Sequence, residues 1–252
     1  MDILYVVGNR LSEWYNNELR YSLRCLERNG VNVGKVYVVG YRPPFLNDET
    51  VTFLQCKDKT NVKHYNIQNC IDYAVKNSDI GARDDGWFLL SSDDHFYIQS
   101  TDFATYPFYW RGVELPNAAD NTYHRTLLST REVLETCGHP CHHLAWHGNT
   151  HLNAKVWCSD EFQRILRWAL TMPEGCEPTC LMLNYMLGKG MLSMEQFTAR
   201  ADSKFNGDCT DAQVADALDS REVVSSTDNI ERSALGRYLQ KNYRQPSKYE
   251  QL

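Results

Sequence analysis

The sequence predicts an α/β fold with a mostly parallel central sheet flanked by helices, and three observations predict it. Strand-like and helix-like segments alternate through the first hundred residues, which implies right-handed crossovers. The strands are short continuous apolar runs, the pattern of strands buried on both faces. The run Trp87-Phe88-Leu89-Leu90 leads straight into the polar cluster Ser91-Ser92-Asp93-Asp94-His95-Phe96. Ligands of open α/β sheets bind beyond the carboxyl ends of such strands.

Taken in order, residues 3–7 form a first strand stopped by Gly8-Asn9. Ser12 is positioned to cap a helix whose apolar pattern runs from Trp14 through Leu19 and Leu23 to Leu26 and stops at Asn29-Gly30. Residues 35–39 form a second strand closed by Gly40, and 51–54 a third. Ile67, Ile71 and Val75 share one side of a second helix, and residues 87–90 form the next strand. Beyond Tyr97 the pattern loosens. Residues 103–116 read as loops or strands around a cleft, 130–137, 160–170 and 178–187 as helices, and 202–211 as a polar mobile loop. A final helix over about 231–243 ends before Pro246.

A chain of 252 residues buries a substantial core, and one α/β domain fits that length. The formal charge of −6 gives no general attraction to nucleic acid or to an anionic membrane. A basic stretch, Arg232 to Lys248, reads as a solvated helix face or a local phosphate contact. No Gly-x-Gly-x-x-Gly or phosphate-loop pattern occurs, which argues against dinucleotide cofactors and simple ATPases. No signal peptide opens the chain and no window is apolar enough to span a bilayer, so a soluble, intracellular protein is expected. Nine scattered cysteines are an odd number, which argues against a disulfide framework.

The chemistry concentrates at Asp93 and Asp94. Adjacent carboxylates repel unless a cation or a shared proton relieves them, and a hard Mn²⁺ or Mg²⁺ ion takes one or two carboxylates together with diphosphate oxygens. Neighbours on an extended strand face opposite ways, so both can approach one ion only if the chain turns there. The residues therefore predict a metal-bridged phosphate at this strand end; the plainer alternative is an Asx-type cap on a turn.

Three segments together, Asn17-Glu18-Leu19-Arg20-Tyr21-Ser22-Leu23-Arg24, Val36-Tyr37-Val38-Val39-Gly40 and Ser92-Asp93-Asp94-His95-Phe96, carry a resemblance. They resemble the Stealth-type sugar-phosphate transferases and a related group of small phage and bacterial glycosyltransferases of the A-type (GT-A) fold. The endings Ser225-Ser226-Thr227-Asp228-Asn229 and Pro246-Ser247-Lys248-Tyr249-Glu250 resemble the small phage-type group. The resemblance implies a single glycosyltransferase-like domain over 1–252, with a nucleotide-sugar-binding half (1–100) and an irregular acceptor-side half (101–252). Ser92-Asp93-Asp94 stands where the family has Asp-x-Asp, with Ser replacing the first carboxylate; the resemblance implies that Asp94 binds the metal and Asp93 hydrogen-bonds the donor ribose or sugar. His147 matches a family histidine and is expected either to complete the metal site or to act as a general base, with His151 as its rival. Gly8, Asn17, Arg20, Lys63, Asn66, Asp93 and Lys204 are the expected nucleotide-sugar contacts. Arg20 and Arg24, four apart on one helix face, alternatively pair with Glu18 or Glu27.

The cluster Cys137-Gly138-His139-Pro140-Cys141-His142-His143, with Cys176 and Cys180 as further candidate ligands, is a candidate structural Zn²⁺ site; buried free thiols are the alternative. The function expected is metal-dependent transfer of a sugar from a nucleotide-sugar, a UDP-sugar by preference, to an acceptor hydroxyl. The acceptor is a glycan or a hydroxymethylated phage DNA base, and the location cytoplasmic, the host's if the chain is phage-encoded. The alternatives are hexose-1-phosphate transfer in the Stealth manner and a non-catalytic binding module stabilised by a metal.

Overall fold

The computed structural model describes residues 1–8, 12–110, 121–141, 149–200, 204–227 and 229–251. Its strands are β1 (Asp2–Val7), β2 (Gly30–Val31), β3 (Val36–Gly40), β4 (Val51–Gln55), β5 (Trp87–Ser91), β6 (His95–Tyr97), β7 (Thr101–Asp102), β8 (Phe108–Trp110), β9 (Thr150–Asn153), β10 (Phe197–Ala199), β11 (Lys204–Phe205) and β12 (Val223–Ser226). The helices are α1 (Asn17–Asn29), α2 (Lys63–Asn77), α3 (Thr122–Thr136), α4 (Ala154–Trp157), α5 (Asp160–Ala169), α6 (Pro178–Gly188), α7 (Asp211–Ser220) and α8 (Ala234–Asn242). They fall into two compact units. The first comprises Met1–Gln55, Ser91–Tyr106 and Ala201–Leu252, the second Cys56–Leu90 and Pro107–Arg200.

In the first unit β1 pairs in parallel with β3, and β3 with β4. Every residue of β3 is buried, as is β1 apart from a half-buried Val6, in keeping with their unbroken apolar sequences. Gly40 ends β3 at φ +115°, where an added Cβ would stand 1.9 Å from the Val7 carbonyl oxygen, so this position admits no side chain. A second, three-stranded sheet has β12 between β11, which runs parallel to it, and β6, which runs antiparallel. Its core joins Phe96 and Ile98 to Trp14, Val224, Leu235 and Leu239. Buried hydroxyls connect the layers. Ser22 Oγ on α1 donates to the His95 carbonyl at 2.6 Å and accepts from Tyr5 Oη on β1 at 3.2 Å.

The second unit pairs β5 antiparallel with β9 and β8 parallel with β10, alongside α2 to α6. The strand expected to be central in a parallel sheet therefore takes an antiparallel neighbour, which the sequence reading missed. Thr150-His151-Leu152-Asn153 is all buried, so it lacks the alternation that marks a strand. The chain as a whole is α/β, its pairings mostly parallel and its strands accompanied by helices.

Other expectations need correction at their ends. The first helix begins at Asn17, three residues after Trp14, and its N-cap is Asn16 at φ 60°. Ser12 closes the preceding turn instead: it accepts from the Asn16 backbone N–H at 2.8 Å and donates to Glu18 at 2.6 Å. The helix expected over 130–137 starts two turns earlier, at Thr122, where the Asn121 side chain accepts from the His124 N–H. The polar stretch 202–211 holds β11 and the cap of α7. Thr210 and Gln213 form a capping box that is legible in Thr210-Asp211-Ala212-Gln213 and was passed over.

The C-terminal segment is fastened to α1 by charge. Glu250 receives both Nε and Nη2 of Arg24 at 2.7 Å, as well as the Ser247 backbone N–H at 2.9 Å. Burial opposes ionisation of this pair, yet the mutual hydrogen bonds hold the Glu250 carboxyl below its ordinary range and raise the Arg24 guanidinium. With side-chain exposures of only 11% and 5%, neither partner recovers its hydration when the other is removed. Glu250→Gln is therefore expected to destabilise the protein by roughly 3 kcal/mol, read from urea unfolding at pH 7. Because the Glu250 carboxyl is depressed in the folded state, its contribution is present above the unfolded carboxyl range and fades as the pH falls.

Candidate functional site

The chain turns where the two carboxylates stand. His95 N–H donates to the Ser92 carbonyl at 3.2 Å, closing the turn Ser92-Asp93-Asp94-His95 between β5 and β6. This is the condition under which neighbouring Asp side chains escape strand alternation. Both are half-buried, and Asp94 keeps 31% of its side chain exposed. The Asp94 carboxylate lies 3.8 Å from His95 Nε2, and its main-chain carbonyl accepts the Ser226 N–H at 3.0 Å.

Strand register sorts the surrounding side chains. β12 pairs Ser225 with His95, and β11 pairs Lys204 with Ser225 and Phe205 with Ser226. Paired residues share a face and successive residues alternate, so His95, Ser225 and Lys204 form one row. Ser226 and Phe205 form the row on the other face, and the Ser226 N–H reaches the main chain of the turn at Asp94. Lys204, expected to cover a diphosphate, is exposed at the start of β11.

The other expected contacts vary in their availability. Gly8 follows β1, is exposed, and has no atom within 4 Å of an added Cβ, so space does not demand glycine there. Asn17 is the half-buried first residue of α1. Arg20 lies 3.4 Å from Glu250 and its guanidinium sits 4.6 Å over the Phe45 ring. Its partner is thus neither Glu18 nor Glu27 but a residue distant in sequence. In the second unit Lys63 is exposed at the first position of α2. Asn66 spends its amide on the backbone before that helix, accepting from Lys59 N–H at 3.0 Å and donating to the Thr60 carbonyl at 2.8 Å. His147 lies outside the described residues.

His151, the rival of His147, is packed into the second unit at 2% exposure. Its ring stacks on Phe108 at 4.0 Å and meets Trp87 edge-on at 6.2 Å. Burial lowers its pKa to about 4, so it is neutral at ordinary pH and suited to packing. His139 of the Cys/His cluster packs edge-on against Tyr185 at 4.9 Å with Nε2 3.6 Å from Glu161. Cys176 is buried and its thiol is pushed up to about 12, while the buried Cys180 sulfur meets Asn184 Nδ2 at 3.4 Å. His142 and His143 lie outside the described residues. Among the described residues no three His, Cys, Asp or Glu side chains gather into a metal-holding group.

For a hard divalent ion the fit rests on Asp93 and Asp94. Mg²⁺ or Mn²⁺ keeps several waters and needs only one or two carboxylates when a phosphate ligand supplies further oxygens. The turn and the exposed part of Asp94 meet that requirement, and Ser226 adds a buried hydroxyl with no hydrogen-bond partner among the described residues.

An α/β chain with an acidic turn at the carboxyl end of an apolar strand is what the fold and the site define. No family model and no curated protein matches the chain. Among solved structures it is similar to the galactosyltransferase LgtC in complex with donor and acceptor sugar analogs, at 13% identity and TM-score 0.48, covering 98% of this chain and 97% of that one. It is also similar to an active-site mutant of LgtC, at 14% identity and TM-score 0.46, covering 90% and 87%. Among the described residues no helix is long and apolar enough to cross a membrane.

The buried imidazoles carry a pH dependence. His64, 8% exposed, is like His151 lowered to about 4 by burial. Their folded values lie below the unfolded value, so stability is complete above pH 6.5 and falls as the pH drops toward 4. Each contributes up to about 3 kcal/mol of that loss. Proton NMR should show both rings not titrating above about pH 5, while the unfolding free energy declines across that window.

Proposed function

We propose that the chain is a metal-dependent glycosyltransferase that moves a sugar from a nucleotide-sugar donor, a UDP-sugar, to an acceptor hydroxyl of a glycan or a hydroxymethylated DNA base. The single observation that carries the reading is the Ser92–His95 turn, which presents Asp93 and Asp94 together beyond an apolar strand. The sequence resemblance supports the same assignment. Asp94 would hold a Mn²⁺ or Mg²⁺ ion, with Asp93 accepting hydroxyls of the donor ribose or sugar. When bound, such an ion neutralises the charge that develops on a leaving nucleoside diphosphate.

The chain's own residues supply orientation. The main-chain bond from Ser226 fixes the Asp94 backbone, and Asp94 keeps enough exposure for ligand oxygens to share its ion. Transfer requires that the acceptor hydroxyl be deprotonated as it attacks the anomeric carbon. His147 is the candidate base from the resemblance, or a further metal ligand. Arg20 and Asn66 have internal partners, and the reading does not depend on them.

Thermal melts test the proposal. Mn²⁺ with a UDP-sugar at 100 times its Kd should stabilise the protein by about 2.7 kcal/mol. Asp94→Asn should lose that gain while its ligand-free Tm stays that of the wild type. No stabilisation by any nucleotide with metal would sink the reading. Release of nucleoside monophosphate, in place of diphosphate, would move the assignment to hexose-1-phosphate transfer.

A further inference from the structure

The acidic turn is tied at both ends to one buried hydroxyl. Tyr5 on β1 has 0% exposure, and its Oη donates to Ser22 Oγ at 3.2 Å, which in turn donates to the His95 carbonyl at 2.6 Å. A phenol has a single proton to give, so its second hydrogen bond, to the Ser91 side chain, is one it accepts. Ser91 is the last residue of β5, one position before the turn, and His95 closes the turn. Tyr97 Oη lies 3.4 Å from Ser91 Oγ and completes the series. The Ser92 carbonyl, 3.5 Å from Ser91 Oγ, is the weaker competitor for the serine proton. The protons thus run one way, from Tyr97 to Ser91, Tyr5, Ser22 and the His95 carbonyl, an order in which each hydrogen bond strengthens the next. Burial pushes the Tyr5 phenol up, so it keeps its proton at ordinary pH.

A buried tyrosine needs partners for its hydroxyl wherever it lies, and any two polar groups would meet that need. Here both partners lead to the same four-residue turn, from opposite ends. We propose that Tyr5 is a positioning residue for the acidic turn: its hydroxyl couples Ser91 to the His95 carbonyl and so sets the backbone spacing at which Asp93 and Asp94 meet a divalent cation. The inference rests on the metal reading of the turn and adds to it a buried residue that is not a ligand. Asp93 and Asp94 lie between the two tethered points, so the main chain cannot spread there without breaking a buried hydrogen bond. A hard cation that takes few protein ligands depends on where those ligands stand before it arrives.

Electron paramagnetic resonance titration of the full chain with Mn²⁺ alone tests this. Tyr5→Phe keeps the ring and removes only the hydroxyl, uncoupling the two ends while Ser22 still holds His95. It should bind Mn²⁺ roughly 10-fold more weakly than the wild type. Ser22→Ala breaks the series on the other side and should weaken binding to a similar extent. It also makes the comparison should Tyr5→Phe not fold. Ser233→Ala is the control for lost stability, since it removes the cap of α8 that the Ser233 hydroxyl provides by accepting the Gly236 N–H at 3.1 Å. It should lower Tm while keeping the wild-type Mn²⁺ affinity. Wild-type affinity in both Tyr5→Phe and Ser22→Ala, with affinity lost in Asp94→Asn, overturns this inference and leaves the metal reading standing. So does an affinity that falls as far in Ser233→Ala as in Tyr5→Phe. A wild-type chain that takes up no Mn²⁺, or an Asp94→Asn variant that binds it unchanged, overturns both.

Discussion

Carboxylates cannot continue a strand buried on both faces, because each would lose its hydration without gaining a partner. The chain meets that constraint at Ser91 by turning, and much else in the first unit serves the turn. The His95 N–H closes it onto the Ser92 carbonyl, and Ser226 holds the Asp94 carbonyl from the adjacent strand. Ser22 on α1 ties the His95 carbonyl to Tyr5 on β1. The backbone of the acidic turn is thus attached to β12 by a main-chain bond and, through the hydroxyls of Ser22 and Tyr5, to α1 and β1.

The same unit uses charge in a second, purely structural way. Arg24 and Glu250 are a buried, bidentate pair that closes the C-terminal segment over α1. Backbone contacts such as Asn47 N–H to the Tyr249 carbonyl and Gln251 N–H to the Phe45 carbonyl extend the closure to the loop after β3. Arg20 leans on the same carboxylate and on Phe45. Arg20 and Arg24 thus both have a partner within the fold, in the acidic residue that fastens the C-terminal segment.

In the second unit polar residues with catalytic chemistry are mostly absorbed by packing. His151 lies against Phe108 and Trp87, and His139 against Tyr185 and Glu161. Asn66 closes its own helix entry, and Glu177 caps α6 by accepting the Cys180 N–H at 2.6 Å. Glu177 is half-buried as a residue, yet its carboxyl is enclosed and is pushed up to about 7. Each of these residue types suggests a site when read alone; His151 and His139 acquire partners from other elements, while Asn66 and Glu177 acquire theirs at the ends of their own helices.

What the sequence determined by itself was local. The apolar runs at 3–7, 35–39, 51–54 and 87–90 became strands, and the helical periods at 67–75, 160–170 and 178–187 became α2, α5 and α6. Strand and helix periods report burial on one segment, so they survive whatever the segment packs against. The acidic turn was legible for the same reason, since the abrupt change from Leu90 to Asp93 is local. Tertiary structure alone decided that β9 runs antiparallel to β5, that Glu250 takes Arg24, that Lys204 pairs with Ser225, and that the Ser226 N–H holds the Asp94 carbonyl. Those facts depend on register and partner choice between segments separated by up to 226 residues, and no local pattern encodes them.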